Sequence, residues 1–360
     1  MKRVFISDCE GPISKNDNAF EITAHSVPNG DKLFTLISKY DDVLADILKK
    51  PGYSAGSTLK LILPFLKAYD ITDRQMEEFS AQNLILIPNS KATLQYVRAV
   101  ASAFIVSTSY EHYIKALCRA LDFPYKNTYC TKLSIDKYLG TQQEKMRLKE
   151  VAREIAKMPL INIPPGEERT EGFSSTDQET IRRLDTIFWD EIASMSLGRV
   201  FSDVTTVGGS QKAEAIEDAV EDLGAQVSDA MYVGDSITDV EAFKLVRENG
   251  GLTVSFNGNQ YAVEEAEVAV LSEDSTITAV IAELFCNVGK QQTLQILENW
   301  KREAFRKSVV SQPLLDKLLT LYPAVLPKVQ IVTAENMEQL SKESSEFRKK
   351  VRGEGIGRLG

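Results

Sequence analysis

Cysteine is scarce in this 360-residue chain. The four present (Cys9, Cys118, Cys130 and Cys286) are scattered, with no CxxC pair among them. That spacing excludes a disulfide scaffold and gives no support to a zinc or dithiol framework. Histidine is scarcer still: His25 and His112 are the only two, no short spacing pairs them, and a structural role is read for both. The two tryptophans, Trp189 and Trp300, are read as core residues. No run approaches the roughly 18 apolar residues of a membrane helix. The opening Met1-Lys2-Arg3-Val4-Phe5-Ile6-Ser7-Asp8 is too short in apolar residues for a secretory signal. A basic excess is missing as well, since 42 Lys and Arg stand against 51 Asp and Glu, a net charge of -9 at pH 7. Proteins that coat nucleic acid or anionic membranes carry the opposite sign, so neither partner is expected. The expectation is an intracellular, cytoplasmic protein with reduced thiols.

What is there reads as globular: 43% of residues are hydrophobic and 26% charged. The length allows two or three domains. Val4-Phe5-Ile6 is a short apolar run that stops at Asp8 and Gly11-Pro12, a buried strand feeding a turn. Helical spacing follows, carried by Leu33, Leu36, Ile37 and Tyr40 and then by Val43, Leu44, Ile47 and Leu48. It exceeds what a crossover needs, so 14–85 is read as an inserted helical cap. The pattern then turns α/β, with strands at 103–106, 128–135, 200–207, 230–233, 252–256 and 268–271 and helices between them. Residues 136–199 are charge-rich and helical, with a polar break at 164–175, and read as a second helical insertion. The core is expected to comprise 1–13, 86–135 and 200–285, a doubly wound, parallel-sheet α/β fold. Residues 286–360 are expected to form a helical extension whose Gly- and Arg-rich tail, from Arg352 on, is frayed.

Three of the apolar runs end in polar residues: Val4-Phe5-Ile6 before Ser7-Asp8-Cys9-Glu10, Phe104-Ile105-Val106 before Ser107, and Met231-Tyr232-Val233 before Gly234-Asp235. Ligands of an open parallel sheet bind beyond the carboxyl ends of its strands, so these residues converge on one crevice. Gly208-Gly209-Ser210-Gln211-Lys212 opens a helix with a lysine in its first turn. A cation there opposes the helix dipole at a cost of about 0.3–1 kcal/mol. Lys212 is better explained facing anions, which the converging carboxylates supply. Singly, each feature has a plain reading: a turn aspartate, a strand-end serine, a solvated lysine. Their order along the chain carries the argument.

In that order the four pieces resemble the haloacid dehalogenase (HAD) superfamily of phosphohydrolases. Asp8-Cys9-Glu10-Gly11-Pro12 matches the nucleophile loop, Ser107 the second motif, Lys212 the third, and Gly234-Asp235-Ser236-Ile237-Thr238-Asp239 the acidic fourth. Ile105-Val106-Ser107-Thr108-Ser109-Tyr110 is similar to the second motif of phosphoserine-phosphatase-like members. The Asp8-x-Glu10-Gly11-Pro12 loop is also similar to that of an archaeal group labelled energy-converting hydrogenase subunit R. The resemblance implies a Mg²⁺-dependent hydrolase of a small phosphorylated metabolite, working through an aspartyl-phosphate on Asp8. It implies Glu10 as general acid and base, with Ser107, Thr108 and Lys212 on the phosphate. Asp8, the Glu10 backbone carbonyl, Asp235 and Asp239 would hold the metal. The basic cap residues Lys60 and Arg74 would meet a substrate anion, and Cys9 would point away as a buried spacer.

Three positions depart from the family pattern. Glu10 replaces the usual Asp, Pro12 a common Thr, and Thr238 a common Asn. A misplaced acid can slow turnover severely. These departures motivate an alternative, a non-catalytic or regulatory HAD-fold protein with a protein partner on its C-terminal extension.

Overall fold

The computed structural model describes residues 3–164, 169–302 and 309–359. Its strands are β1 (Val4–Ser7), β2 (Ser102–Tyr110), β3 (Thr128–Thr131), β4 (Ala230–Gly234), β5 (Leu252–Phe256), β6 (Val268–Leu271) and β7 (Lys328–Ile331). Among the described residues these seven form one sheet in the order β3-β2-β1-β4-β5-β6-β7. All pairings are parallel except that of β6 with β7.

Alternate residues of the central strands serve opposite layers. Val4, Ile6, Phe104, Val106 and Tyr232 pack with Ile216, Ala219, Phe243 and Val246, from the helices Ser210–Asp222 and Val240–Glu248. Phe5, Ile105, Met231 and Val233 pack instead with Ile114 and Leu117 from the helix Glu111–Leu121, and with Val280 and Ile281. Burial on both faces is why these strands are continuous apolar runs rather than alternating ones. The fold is doubly wound α/β, as the sequence leads one to expect. The chain runs outward from β1 through β2 to β3, then returns to β4 on the other side of β1. That reversal opens a crevice at the carboxyl ends of β1 and β4.

Helices Gly30–Asp42 and Thr58–Ala68 lie between β1 and β2, and Gln142–Ile155 and Ser175–Asp185 lie between β3 and β4. They share one hydrophobic cluster that includes Tyr40, Phe65, Leu148 and Phe188. Tyr40 stacks on Phe188 with ring centroids 5.7 Å apart. The Tyr40 hydroxyl donates to Asp185 Oδ1 at 2.5 Å and accepts from Trp189 Nε1 at 2.8 Å.

Several expectations are corrected. Residues 200–207 are not a strand: Val200–Asp203 is a helical turn, and Val200 and Val204 are buried one turn apart. The strand expected to reach Ile135 ends at Thr131. The region expected to be helical after 275 contains β7, an antiparallel edge strand in which only Val329 is fully buried. The tail expected to fray is docked, with Arg352, Gly357 and Leu359 buried. Residues 165–168 of the expected polar break, 303–308 of the extension and Gly360 of the tail lie outside the described residues. Among the described residues no helix is long and apolar enough to cross a membrane.

Candidate active site

Asp8 leaves the end of β1 with its N–H donated to Val233 O on β4 at 2.8 Å, which ties the loop to the strand across the crevice. One carboxylate oxygen, Oδ1, accepts the Cys9 N–H at 2.6 Å, and Oδ2 accepts Lys212 Nζ at 2.7 Å. Lys212 has no exposed surface, and its Nζ also donates to Asp239 Oδ1 at 2.7 Å. The anions that the lysine's place in a first helical turn called for are these two carboxylates. The Tyr232 hydroxyl donates to the same Asp239 oxygen at 2.6 Å, while Asp239 Oδ2 accepts the N–H groups of Asp235 and Ser236 at 2.9 Å each. A Cβ on Gly234 would stand 2.5 Å from Asp239 Cγ, so only glycine lets the loop fold this tightly.

Charge and burial oppose one another here. Burial presses the Asp8 carboxyl up; Asp239 and Asp235 add to that pressure, and Lys212 relieves part of it. Burial also works against the Asp239 charge, but Lys212, Tyr232 and the Asp235 N–H overcome it and hold that carboxyl below the ordinary aspartate value. For Lys212 the same contest ends with the ammonium more firmly protonated than usual, because Asp239 and Asp8 outweigh its desolvation.

Glu10 is half-buried, and its Oε1 accepts the Asn18 N–H at 2.7 Å at the start of the helix Asn18–Ser26. Burial, reinforced by Asp17, pushes its carboxyl well above the usual carboxylate range; Asn18 and Arg352 relieve only part of this. Ser107 is buried near the end of β2, and its Oγ accepts the Ser109 N–H at 3.3 Å. The buried Thr108 Oγ1 has no hydrogen-bond partner among the described residues. A cavity of about 90 Å³ is lined by Asp8, Glu10, Ser107, Thr108, Asp235, Thr58, Arg348 and Arg352, among others. It is bounded on the inserted side by Asp41, whose carboxylate accepts the Gly56 N–H and Thr58 Oγ1, both at 2.9 Å. A wider depression of about 770 Å³ near Leu326 and Asn336 shares no residue with it.

Asp8, Asp235 and Asp239 each place a carboxylate oxygen within 4.8 Å of the others. Oxygen donors of this kind fit a hard divalent cation. A Cβ at Gly11, where φ is +107°, would fall 2.0 Å from Asp235 Oδ2, so the loop after β1 lies directly against that carboxylate. Each Asp239 oxygen accepts at least two protein donors, whereas each Asp8 oxygen accepts one and Asp235 Oδ2 is taken by two arginines.

Other expected residues lie elsewhere. Arg74 is exposed and pairs with Glu78 at 2.7 Å, and Lys60 lies over the Tyr53 ring; neither lines the cavity. Cys9 is fully buried in the core, and His112 binds Asp73 Oδ1 through Nε2 at 2.9 Å. Arg348 and Arg352 escaped the sequence reading. Their signal was the four-residue spacing Leu340, Ser344, Arg348, Arg352 along the helix Met337–Arg352, all of them buried.

Neither a family model nor a curated protein matches the sequence. The solved structure of gene product AF1437 from Archaeoglobus fulgidus is similar over 100% of this chain and 99% of that one, with 25% identity and a TM-score of 0.77. A phospho-aspartyl intermediate analogue of phosphoserine phosphatase is similar over 76% of this chain and 95% of that one, at 13% identity and a TM-score of 0.46. A substrate-bound phosphoserine phosphatase complex gives 12% and 0.44 over the same shares. Over its whole length the chain is similar to the archaeal gene product.

Proposed function

We propose that the chain is a Mg²⁺-dependent, HAD-type phosphohydrolase of a small phosphorylated metabolite. The observation that carries this reading is Lys212 Nζ bridging Asp8 Oδ2 and Asp239 Oδ1 beside Asp235, at the carboxyl ends of β1 and β4. In this reading Asp8 attacks phosphorus, the ester P–O bond breaks, and the leaving oxygen takes the proton that Glu10 holds. Water then attacks the aspartyl-phosphate, Glu10 takes its proton, and inorganic phosphate leaves with Asp8 restored. Lys212, the Ser107 hydroxyl and the unpartnered Thr108 hydroxyl bind the phosphoryl oxygens. Asp8, the Glu10 backbone carbonyl and Asp235 would hold the cation, which would offset the charge repulsion between Asp8 and the phosphate dianion. Asp239, with its oxygens committed, positions Lys212 and the Asp235 loop. The inserted helices over the crevice choose the leaving group, and a cytoplasmic site of action suits four unpaired cysteines.

One observation favours the alternative, a regulatory or ligand-binding protein that does not turn over. Asp235 is already paired with Arg348 and Arg352, and the Glu10 carboxyl is tied to Asn18. Phosphate release from a panel of phosphorylated metabolites, with and without Mg²⁺, separates the two. Hydrolysis predicts Mg²⁺-dependent release that Asp8→Asn lowers by at least about a thousandfold, the scale of losing a nucleophile. No release from any compound supports the alternative.

A further inference from the structure

The helix Met337–Arg352 turns one face into the crevice. Ser344 Oγ donates to Gly258 O at 2.6 Å, and one turn on Arg348 Nη1 donates to the Asp235 backbone carbonyl at 3.1 Å and to Asp235 Oδ2. A further turn brings Arg352, whose Nη1 donates to the same Oδ2 at 2.9 Å. Its Nε donates to Lys15 O at 3.0 Å and its Nη2 to Asn16 O, so this side chain also clamps the chain leaving the nucleophile loop. Arg348 is 3% exposed and Arg352 8%.

Two buried guanidiniums on one carboxylate oxygen make a cation site already filled from within the chain. Lys212 pairs with Asp8 and Asp239, and Arg348 and Arg352 pair with Asp235, while Glu10 and Asp17 line the same cavity. A divalent cation on Asp235 would lie within reach of both guanidiniums, and like charges in a poorly solvated crevice repel strongly. We infer that Arg348 and Arg352 compete with the divalent cation for the Asp235 carboxylate, so that docking of the C-terminal helix and metal loading oppose each other. The inference rests on Asp8 and Asp235 being metal ligands. Linkage makes the opposition reciprocal: whatever loosens the helix tightens the metal, and metal loosens the helix by the same factor.

Mn²⁺ affinity, read from the paramagnetic resonance of the free ion, is compared in the full chain, Arg348→Met and Arg352→Met. Each variant is expected to bind Mn²⁺ about tenfold more tightly, within the usual range of coupling between sites. In the unmodified chain, saturating Mn²⁺ is expected to speed amide hydrogen exchange in 337–352, an arm that stands even if a variant fails to fold. Equal or weaker Mn²⁺ binding by folded variants would overturn the inference, since the arginines would then be orienting Asp235 for the metal. Unchanged or slower exchange on metal loading of the unmodified chain would overturn it equally. Absence of Mn²⁺ binding in the unmodified chain and in folded variants alike would remove the metal site itself.

Discussion

Lys212 holds its ammonium between Asp8 and Asp239 with no exposed surface, so its removal would leave two carboxylates buried side by side. Breaking a buried ion pair by deleting one partner costs about 3–5 kcal/mol. Lys212→Met is expected to lose stability on that scale in urea denaturation, besides losing turnover. Asp8, Lys212, Asp235 and Asp239 were legible in the sequence because each follows a buried apolar run or opens a helix, features fixed by immediate neighbours. Arg348 and Arg352 were not. Nothing within a few residues of them says that Asp235 lies opposite, and arginines on a helix ordinarily face solvent. Tyr232 was read only as a strand residue, although its hydroxyl reaches Asp239 from within that strand.

At the scale of elements, the helix Asp73–Gln82 is held by its first residue. The Asp73 carboxylate accepts the Ile135 N–H at 2.8 Å, Ser134 Oγ at 2.8 Å and His112 Nε2, joining the stretch after β1 to the stretch after β3. Burial raises this carboxyl, but those donors outweigh it and hold it below the ordinary aspartate value. A group depressed in the folded state stabilises fully above its unfolded value of about 3.9 and loses that contribution as pH falls through the folded value. Asp73→Asn is therefore expected to cost about 1–3 kcal/mol at pH 7, the scale of hydrogen bonds to a charged acceptor. The gap from the unmodified chain should narrow below pH 4, as denaturation curves at pH 7 and pH 3 would reveal. The same scale explains which elements could be read in advance. Strands β1, β4, β5 and β6 are buried on both faces and announce themselves as apolar runs. β7 covers the sheet edge with Lys-Val-Gln-Ile and buries one residue fully, too little pattern to separate it from the helices around it. The segment 200–207 misled for the opposite reason, being rich in Val and Thr yet burying Val200 and Val204 at a helical spacing.

Across the whole molecule, the two helical stretches between strands share one core and are expected to open as one body. Phe188 stacks on Tyr40 and meets Phe65 edge-on at 6.2 Å, linking helices more than a hundred residues apart in sequence. Phe188→Ala is expected to cost about 3–5 kcal/mol. Hydrogen exchange should then quicken together in Gly30–Asp42 and Gln142–Ile155 while β1 and β4 keep their protection; quickening in one helix alone would mean that they open separately. The joint core was invisible in the sequence, where each stretch shows its own amphipathic face and nothing says that the faces meet.

Arg352 and the backbone of Lys15 and Asn16 also come from opposite parts of the chain. Arg352 is made more than three hundred residues after Asp8, so the loop that carries Asp8 waits for that whole stretch before this clamp exists. A nascent chain halted before residue 337 would hold β1 through β7 and yet leave Asp235 without its arginines. The crevice thus reaches its finished state only once residues 337–352 have been made and docked, and long-range closures of this kind are the slow ones in folding.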